Sequence, residues 1–113
     1  MSNIYVLGAG MVGSAMAIDL AKKHHVTISD ISSEVLSRVV EKEPSLKTEI
    51  LDVKDTKDLA LKIKDADLVL SAVPGFLGFE TLKKIILQGK NTVDISFFPE
   101  NALELNQLAL ENN

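Results

Sequence analysis

Three glycines, at positions 8, 10 and 13, break the apolar opening of the chain in "VLGAGMVGSAMAIDLAK", and one acid, Asp30, closes the next apolar run in "HVTISDIS". Glycine inside a regular element costs about 0.5–1 kcal/mol relative to alanine, so three this close together must shape a turn or make room. Between a strand and a helix each has a mechanical reading. Gly8 permits the tight turn out of the strand, Gly10 lets the main chain approach a pyrophosphate with no Cβ between, and Gly13 lets the helix pack closely on the strand. The helix, with Met11 and Val12 in its first turn, then points its N-terminal N–H groups at the phosphates. Asp30 stands ~20 positions further on, where a carboxylate accepts hydrogen bonds from the adenosine ribose hydroxyls, and Ile31 adjoins it. Taken alone, Asp30 reads equally well as an Asx turn or a cap ahead of the next helix. Ser32 and Ser33 are available for that task, which leaves the carboxylate to the ligand.

The same acid bears on which dinucleotide is bound. A carboxylate ~4 Å from a 2′-phosphate is repelled by roughly 1 kcal/mol in bulk water and about 4 kcal/mol at an effective dielectric of 20, on the order of one to three decades of affinity. The one arginine, Arg38, falls within the second helix and not directly after Asp30. NAD is therefore expected over NADP.

These residues need a scaffold, and the sequence supplies one. Apolar runs of strand length occupy Asn3–Leu7, His25–Ser29, Lys47–Leu51, Asp67–Ala72 and Asn91–Ile95. They read as nearly continuous rather than alternating, as strands covered on both faces do. Between them lie helical stripes: Gly13, Met16, Ala17, Leu20 and Ala21; Val35, Leu36, Val39 and Val40; Leu59 and Ile63; Leu82, Ile85 and Ile86; and Leu105, Leu108 and Ala109. Helix starts are marked by Ser32, Asp55 and Pro99. Strict alternation of this kind implies right-handed crossovers and a doubly wound parallel α/β sheet, Rossmann-like, with five strands in the order 3-2-1-4-5. The full dinucleotide fold has six strands, and a chain that stops after its fifth helix is expected to be truncated before a further domain.

Ligands of such sheets lie outside the carboxyl ends of the strands, which nominates further residues. Asp52 and Val53, after the third strand, would meet the adenine, the first by hydrogen bond and the second by packing. Asp52 reads as readily as a solvated loop acid or a helix cap. Ala72 and Val73, after the fourth strand, would flank ribose and phosphates, with Pro74 and Gly75 ending the strand. Asp94 to Ser96, after the fifth, would approach the nicotinamide, although a purely structural Asp94 explains the sequence as well. His24 and His25 read as the close of the first helix, favoured there by its end carbonyls, and not as metal ligands.

Composition narrows the field. The 113 residues suffice for one domain with one core, and 46% hydrophobic beside 25% charged residues is the balance of a globular protein. A net charge of −4 with no basic stripe argues against nucleic acid or an anionic membrane as the partner. No cysteine is present, so disulfides and thiolate chemistry are excluded. With no signal sequence and no segment approaching ~20 apolar residues, the expected location is the cytoplasm.

At "VLGAGMVGSAMAIDLAK", "LDVKDTKDLALKIKDADLVLSAVPGFLG" and "TVDISFFPENALELNQLA" the chain resembles the cofactor domain of the saccharopine dehydrogenase family, lysine dehydrogenases included. The first motif is shared by many dinucleotide proteins, whereas "SAVPG" and "VDISF" are more particular to this group. The resemblance implies an NAD- or NADP-binding domain of an oxidoreductase that works on an amino-acid carbon–nitrogen bond, in a parent expected to be a homo-oligomer. It also implies a second domain holding the amino-acid substrate, so no catalytic residue carries over. Two other classes share the early glycines and acid: nucleotide-sensing modules of potassium transport proteins, and methyltransferases using S-adenosylmethionine.

Overall fold

The computed structural model describes residues 2–73 and 75–94; Pro74, Ser96, the Pro99 helix start and the fifth helical stripe lie outside them, as does the Asp94 side chain. Nine elements alternate in the order β1 (Asn3–Leu7), α1 (Met11–Leu20), β2 (His25–Asp30), α2 (Ser33–Lys42), β3 (Lys47–Ile50), α3 (Thr56–Ile63), β4 (Leu68–Ser71), α4 (Gly75–Leu87) and β5 (Thr92–Asp94). The strands form one parallel sheet in the order β3-β2-β1-β4-β5, as the alternation implies. Element ends differ from the sequence reading by about one residue, the usual scatter of fraying termini. The exception is α1, which ends at Leu20; His24 follows in a turn, where its Nδ1 accepts the Ser2 N–H, and His25 opens β2.

Two cores sandwich the sheet because successive strand side chains point to opposite faces. Ile4, Val6, Val26, Ile28 and Leu70 meet Ala17 of α1 and Leu36 and Val39 of α2 on one face. Tyr5, Leu7 and Val69 meet Leu59 and Ile63 of α3 and Ile85 of α4 on the other. Two of the helices, α2 and α3, start where capping oxygens are provided. Ser32 Oγ accepts the Val35 N–H at 3.3 Å, and Asp55 Oδ1 accepts the Asp58 N–H at 3.0 Å. Two lysines bracket the second face: Lys84 Nζ donates to the Val53 and Lys54 carbonyls ahead of α3, and Lys90 Nζ to those of Lys64 and Ala66 behind it.

Strand β3 departs from the sequence expectation. Lys47, Thr48 and Ile50 are exposed and only Glu49 is partly covered, so this strand is an edge and not a doubly covered run. On the α3 face, toward the N-terminal ends of β1 to β3, a groove of about 530 Å³ is lined by Tyr5, Thr27, Lys47, Glu49 and Lys62 among others. It holds a half-buried ion pair, Lys62 Nζ to Glu49 Oε2 at 3.3 Å.

Burial, and after it the neighbouring Glu49 carboxylate, pushes the Tyr5 phenol well above its ordinary value of 10.0. The folded chain then keeps a proton that the unfolded chain releases. This contribution to stability is whole below pH 10.0 and is lost as the pH rises further. Tyr5 is the sole tyrosine and no tryptophan is present, so ultraviolet absorbance reports on it alone. Tyrosinate is expected to appear only together with loss of circular dichroism, and Tyr5→Phe to move alkaline unfolding to higher pH. Tyrosinate formed near pH 10.0 in a still-folded chain would contradict the assignment.

Candidate functional site

The site is built where β1 hands over to α1, at the carboxyl edge of the sheet. Gly8 adopts φ +98°, a conformation that L side chains rarely take. A Cβ there would stand 2.6 Å from the Ala72 carbonyl oxygen, so Gly8 provides both the turn and the close passage of two main chains. Its N–H donates to the Ser29 carbonyl at 2.9 Å, while the Ala72 N–H donates to the Leu7 carbonyl at 2.7 Å. The ends of β2, β1 and β4 are thereby fixed around one point.

Gly13 serves the packing that its place in the helix suggests. A Cβ there would lie 2.2 Å from the Gly8 carbonyl oxygen and 3.1 Å from the Ala72 Cβ. Gly10 differs from both. It is exposed, has ordinary backbone angles as the N-cap of α1, and a Cβ on it would meet nothing within 4 Å. Among the described residues no side chain caps α1 and no acid lies in its first turn, whereas α2 and α3 carry the Ser32 and Asp55 caps. Unfilled space thus adjoins N–H groups that lack a side-chain acceptor, at the end of a helix where anions are favoured.

Asp30 borders that space and is not free, in contrast to the sequence reading. Ser32 does cap α2, yet both carboxylate oxygens of Asp30 are engaged: Oδ2 accepts the Ala9 N–H at 2.8 Å and Oδ1 the Ser32 N–H at 2.9 Å. The second bond is the Asx turn that stood as the alternative. A carboxylate has about four acceptor sites, so capacity for ribose hydroxyls remains. Met11, Val12 and Ile31 are 90%, 57% and 68% exposed around this edge, an apolar surface that water alone does not reward.

The residues after β3 and β4 contribute differently from their sequence reading. Asp52 forms an Asx turn with the Lys54 N–H at 3.0 Å and stays exposed. The helix cap is Asp55. Val53 is a correction: its side chain is buried in the α3–α4 core with Leu51, Leu59 and Val73, so it packs inward and not on an adenine. Val73 is buried in the same cluster. Ala72 packs against the opposite core and against Gly13. Sequence reasoning missed Ala9, buried between two glycines and bonded to Asp30; the spacing carried no signal of it beyond its small size. The described residues hold no cluster of three or more potential metal ligands and no helix long and apolar enough to cross a membrane.

With this geometry in place, comparison with known proteins decides the family. The sequence matches the saccharopine dehydrogenase NADP binding domain over residues 4–113. The chain belongs to that family. Saccharopine dehydrogenase (L-Glu forming) from Saccharomyces cerevisiae is similar in structure, with a TM-score of 0.75 and 28% identity over 92% of this chain. The chain spans 23% of that enzyme's length. GenD2 from gentamicin A biosynthesis, solved in complex with NAD, shares the fold at 18% identity and a TM-score of 0.72, covering 98% of this chain and 32% of its own. So does a TehB-like SAM-dependent methyltransferase from Corynebacterium glutamicum, at 17% identity and 0.62, covering 97% and 64%. No curated protein matches the sequence. The chain is thus a nicotinamide-dinucleotide-binding domain of oxidoreductase type.

Proposed function

We propose that residues 1–113 form the NAD-binding domain of an NAD-dependent oxidoreductase acting on an amino-acid carbon–nitrogen bond, with the substrate held by a separate domain. The observation that carries this reading is the vacant Cβ position of Gly10 beside an α1 terminus that no side chain caps. The diphosphate would lie over Gly10 and the first-turn N–H groups of Met11, Val12 and Gly13, where the helix end and unpaired donors favour negative charge. Asp30 would accept from the adenosine ribose, Met11, Val12 and Ile31 would cover apolar parts of the cofactor, and the exposed Asp52 would reach the adenine. Ala72 and Val73 would border the ribose and phosphates, and Pro74 and Ser96, outside the described residues, are proposed as further contacts. When bound, the nicotinamide supplies the hydride chemistry, and the protein supplies position and electrostatics. The amino-acid substrate class is supported by the family and by the 28% identity to the yeast enzyme.

NAD is preferred although the family carries NADP in its description. The Asp30 carboxylate would repel a 2′-phosphate on the ribose it is proposed to bind, and Arg38 is an exposed residue of α2 lying 3.9 Å from Glu34. Calorimetric titration of the purified chain with NAD, NADP and S-adenosylmethionine tests both choices. NAD should bind about tenfold to a thousandfold more tightly than NADP. Equal affinity for NADP would overturn the cofactor preference, and tighter binding of S-adenosylmethionine would overturn the class. In the parent enzyme, NAD reduction should depend on an amino acid such as lysine or saccharopine, and its failure with both would remove the substrate assignment.

A further inference from the structure

The geometry points to a second role for Asp30: it is a positioning residue that fixes the Gly8–Ala9 peptide plane, and so sets the diphosphate seat before any ligand arrives. This inference rests on the dinucleotide reading and deepens it. Asp30 Oδ2 holds the Ala9 N–H at 2.8 Å. The carbonyl of the same rigid peptide unit belongs to Gly8, and it faces the bare Cα of Gly13, where a Cβ would come within 2.2 Å of its oxygen. The plane is therefore held on one side by a carboxylate and accommodated on the other by a missing side chain.

A flip of that peptide would turn the Gly8 carbonyl toward the Asp30 carboxylate, setting oxygen against oxygen. Asp30 thus disfavours the alternative plane as well as rewarding the observed one. Its other oxygen holds the Ser32 N–H at 2.9 Å, and Ser32 caps α2, so one carboxylate joins the glycine turn to the start of the second helix. Bonds from ionised acceptors are stronger than neutral ones. Ala9 is buried, and its N–H is spent on Asp30 rather than offered to phosphate. Recognition of the sugar and geometry of the phosphate seat thus pass through the same side chain.

A ligand cycle separates the two roles. NAD and an NAD analogue lacking both adenosine ribose hydroxyls would be titrated against the wild-type chain and Asp30→Asn, with circular dichroism confirming the fold. Ala9 and Ser32 donate to different carboxylate oxygens, so in asparagine one of the two N–H groups would face the amide NH2 instead of an acceptor. Affinity of Asp30→Asn for the analogue is expected to fall about tenfold, the equivalent of one charge-assisted bond, although no ribose hydroxyl remains to be lost. Equal binding of the analogue by both chains would overturn the positioning role while leaving the dinucleotide site intact. Failure of the wild-type chain to bind NAD at all would overturn the underlying reading instead. Should Asp30→Asn not fold, amide hydrogen exchange of the unliganded wild-type chain decides: Ala9 and Ser32 are expected to exchange far more slowly than Met11 and Val12, and Ala9 exchanging as fast as Met11 would refute the bond.

Discussion

Gly10→Val is expected to fold normally and to bind dinucleotide about a hundredfold more weakly, or not measurably. The two halves of this result have separate causes. A Cβ at position 10 meets no atom within 4 Å, and the backbone angles there, φ −70° and ψ −169°, suit any residue, so the fold has no reason to resist. In the proposed site the same empty volume is where a diphosphate would come within hydrogen-bond distance of the α1 N–H groups. Two methyl groups would hold it off, and losing one or two charge-assisted bonds of about 1.5–3 kcal/mol each is on the order of tenfold to more than ten-thousandfold in affinity. Circular dichroism, thermal melting and NAD calorimetry on one preparation check it. A native spectrum with undiminished affinity would remove Gly10 from the phosphate site.

Gly13→Ala is expected to do the reverse, lowering stability by about 3 kcal/mol or more through overpacking. Helix propensity alone predicts a gain of about 1 kcal/mol for this exchange in a helix interior. The clash decides against that gain. The new Cβ would stand 2.2 Å from the Gly8 carbonyl oxygen, which is main chain and cannot swing aside as a side chain would, and 3.1 Å from the Ala72 Cβ. Relief requires α1 to lift from the sheet and uncover Ala17, which is completely buried one turn later. The melting temperature should fall by roughly 10–20 °C. A melting point within a few degrees of wild type would mean that α1 sits more loosely on β1 than described.

The contrast between these glycines shows what the sequence could express. Spacing within a strand–turn–helix context assigned each of the three a separate mechanical task, and the structure gives Gly8 the turn, Gly13 the close packing and Gly10 the open space. The sheet order was legible for a related reason, since β–α alternation with short connections leaves few topologies. Side-chain direction at strand ends was not. Val53 and Asp52 are adjacent in a turn, where no period of 2.0 or 3.6 tells inward from outward, and Val53 went into the core. "KTEI" has too few residues to distinguish an edge strand from a covered one. Ser32 was correctly read as a cap, but the inference that this freed Asp30 failed because a carboxylate can accept from several N–H groups at once, and the Ala9 donor lies 21 positions away in sequence.

The outermost position of β3 has a bearing on how these molecules behave in a crowd. One rim of that strand faces outward with its peptide groups unclaimed by any described strand, an invitation for a stranger's strand to zip on and begin an aggregate. The strand is only four residues long and opens on the exposed Lys47, so a neutral, apolar intruder would have to strip water from that charge to settle there. The rim protects solubility by being short and charged, at the expense of the burial that a longer apolar strand would have contributed.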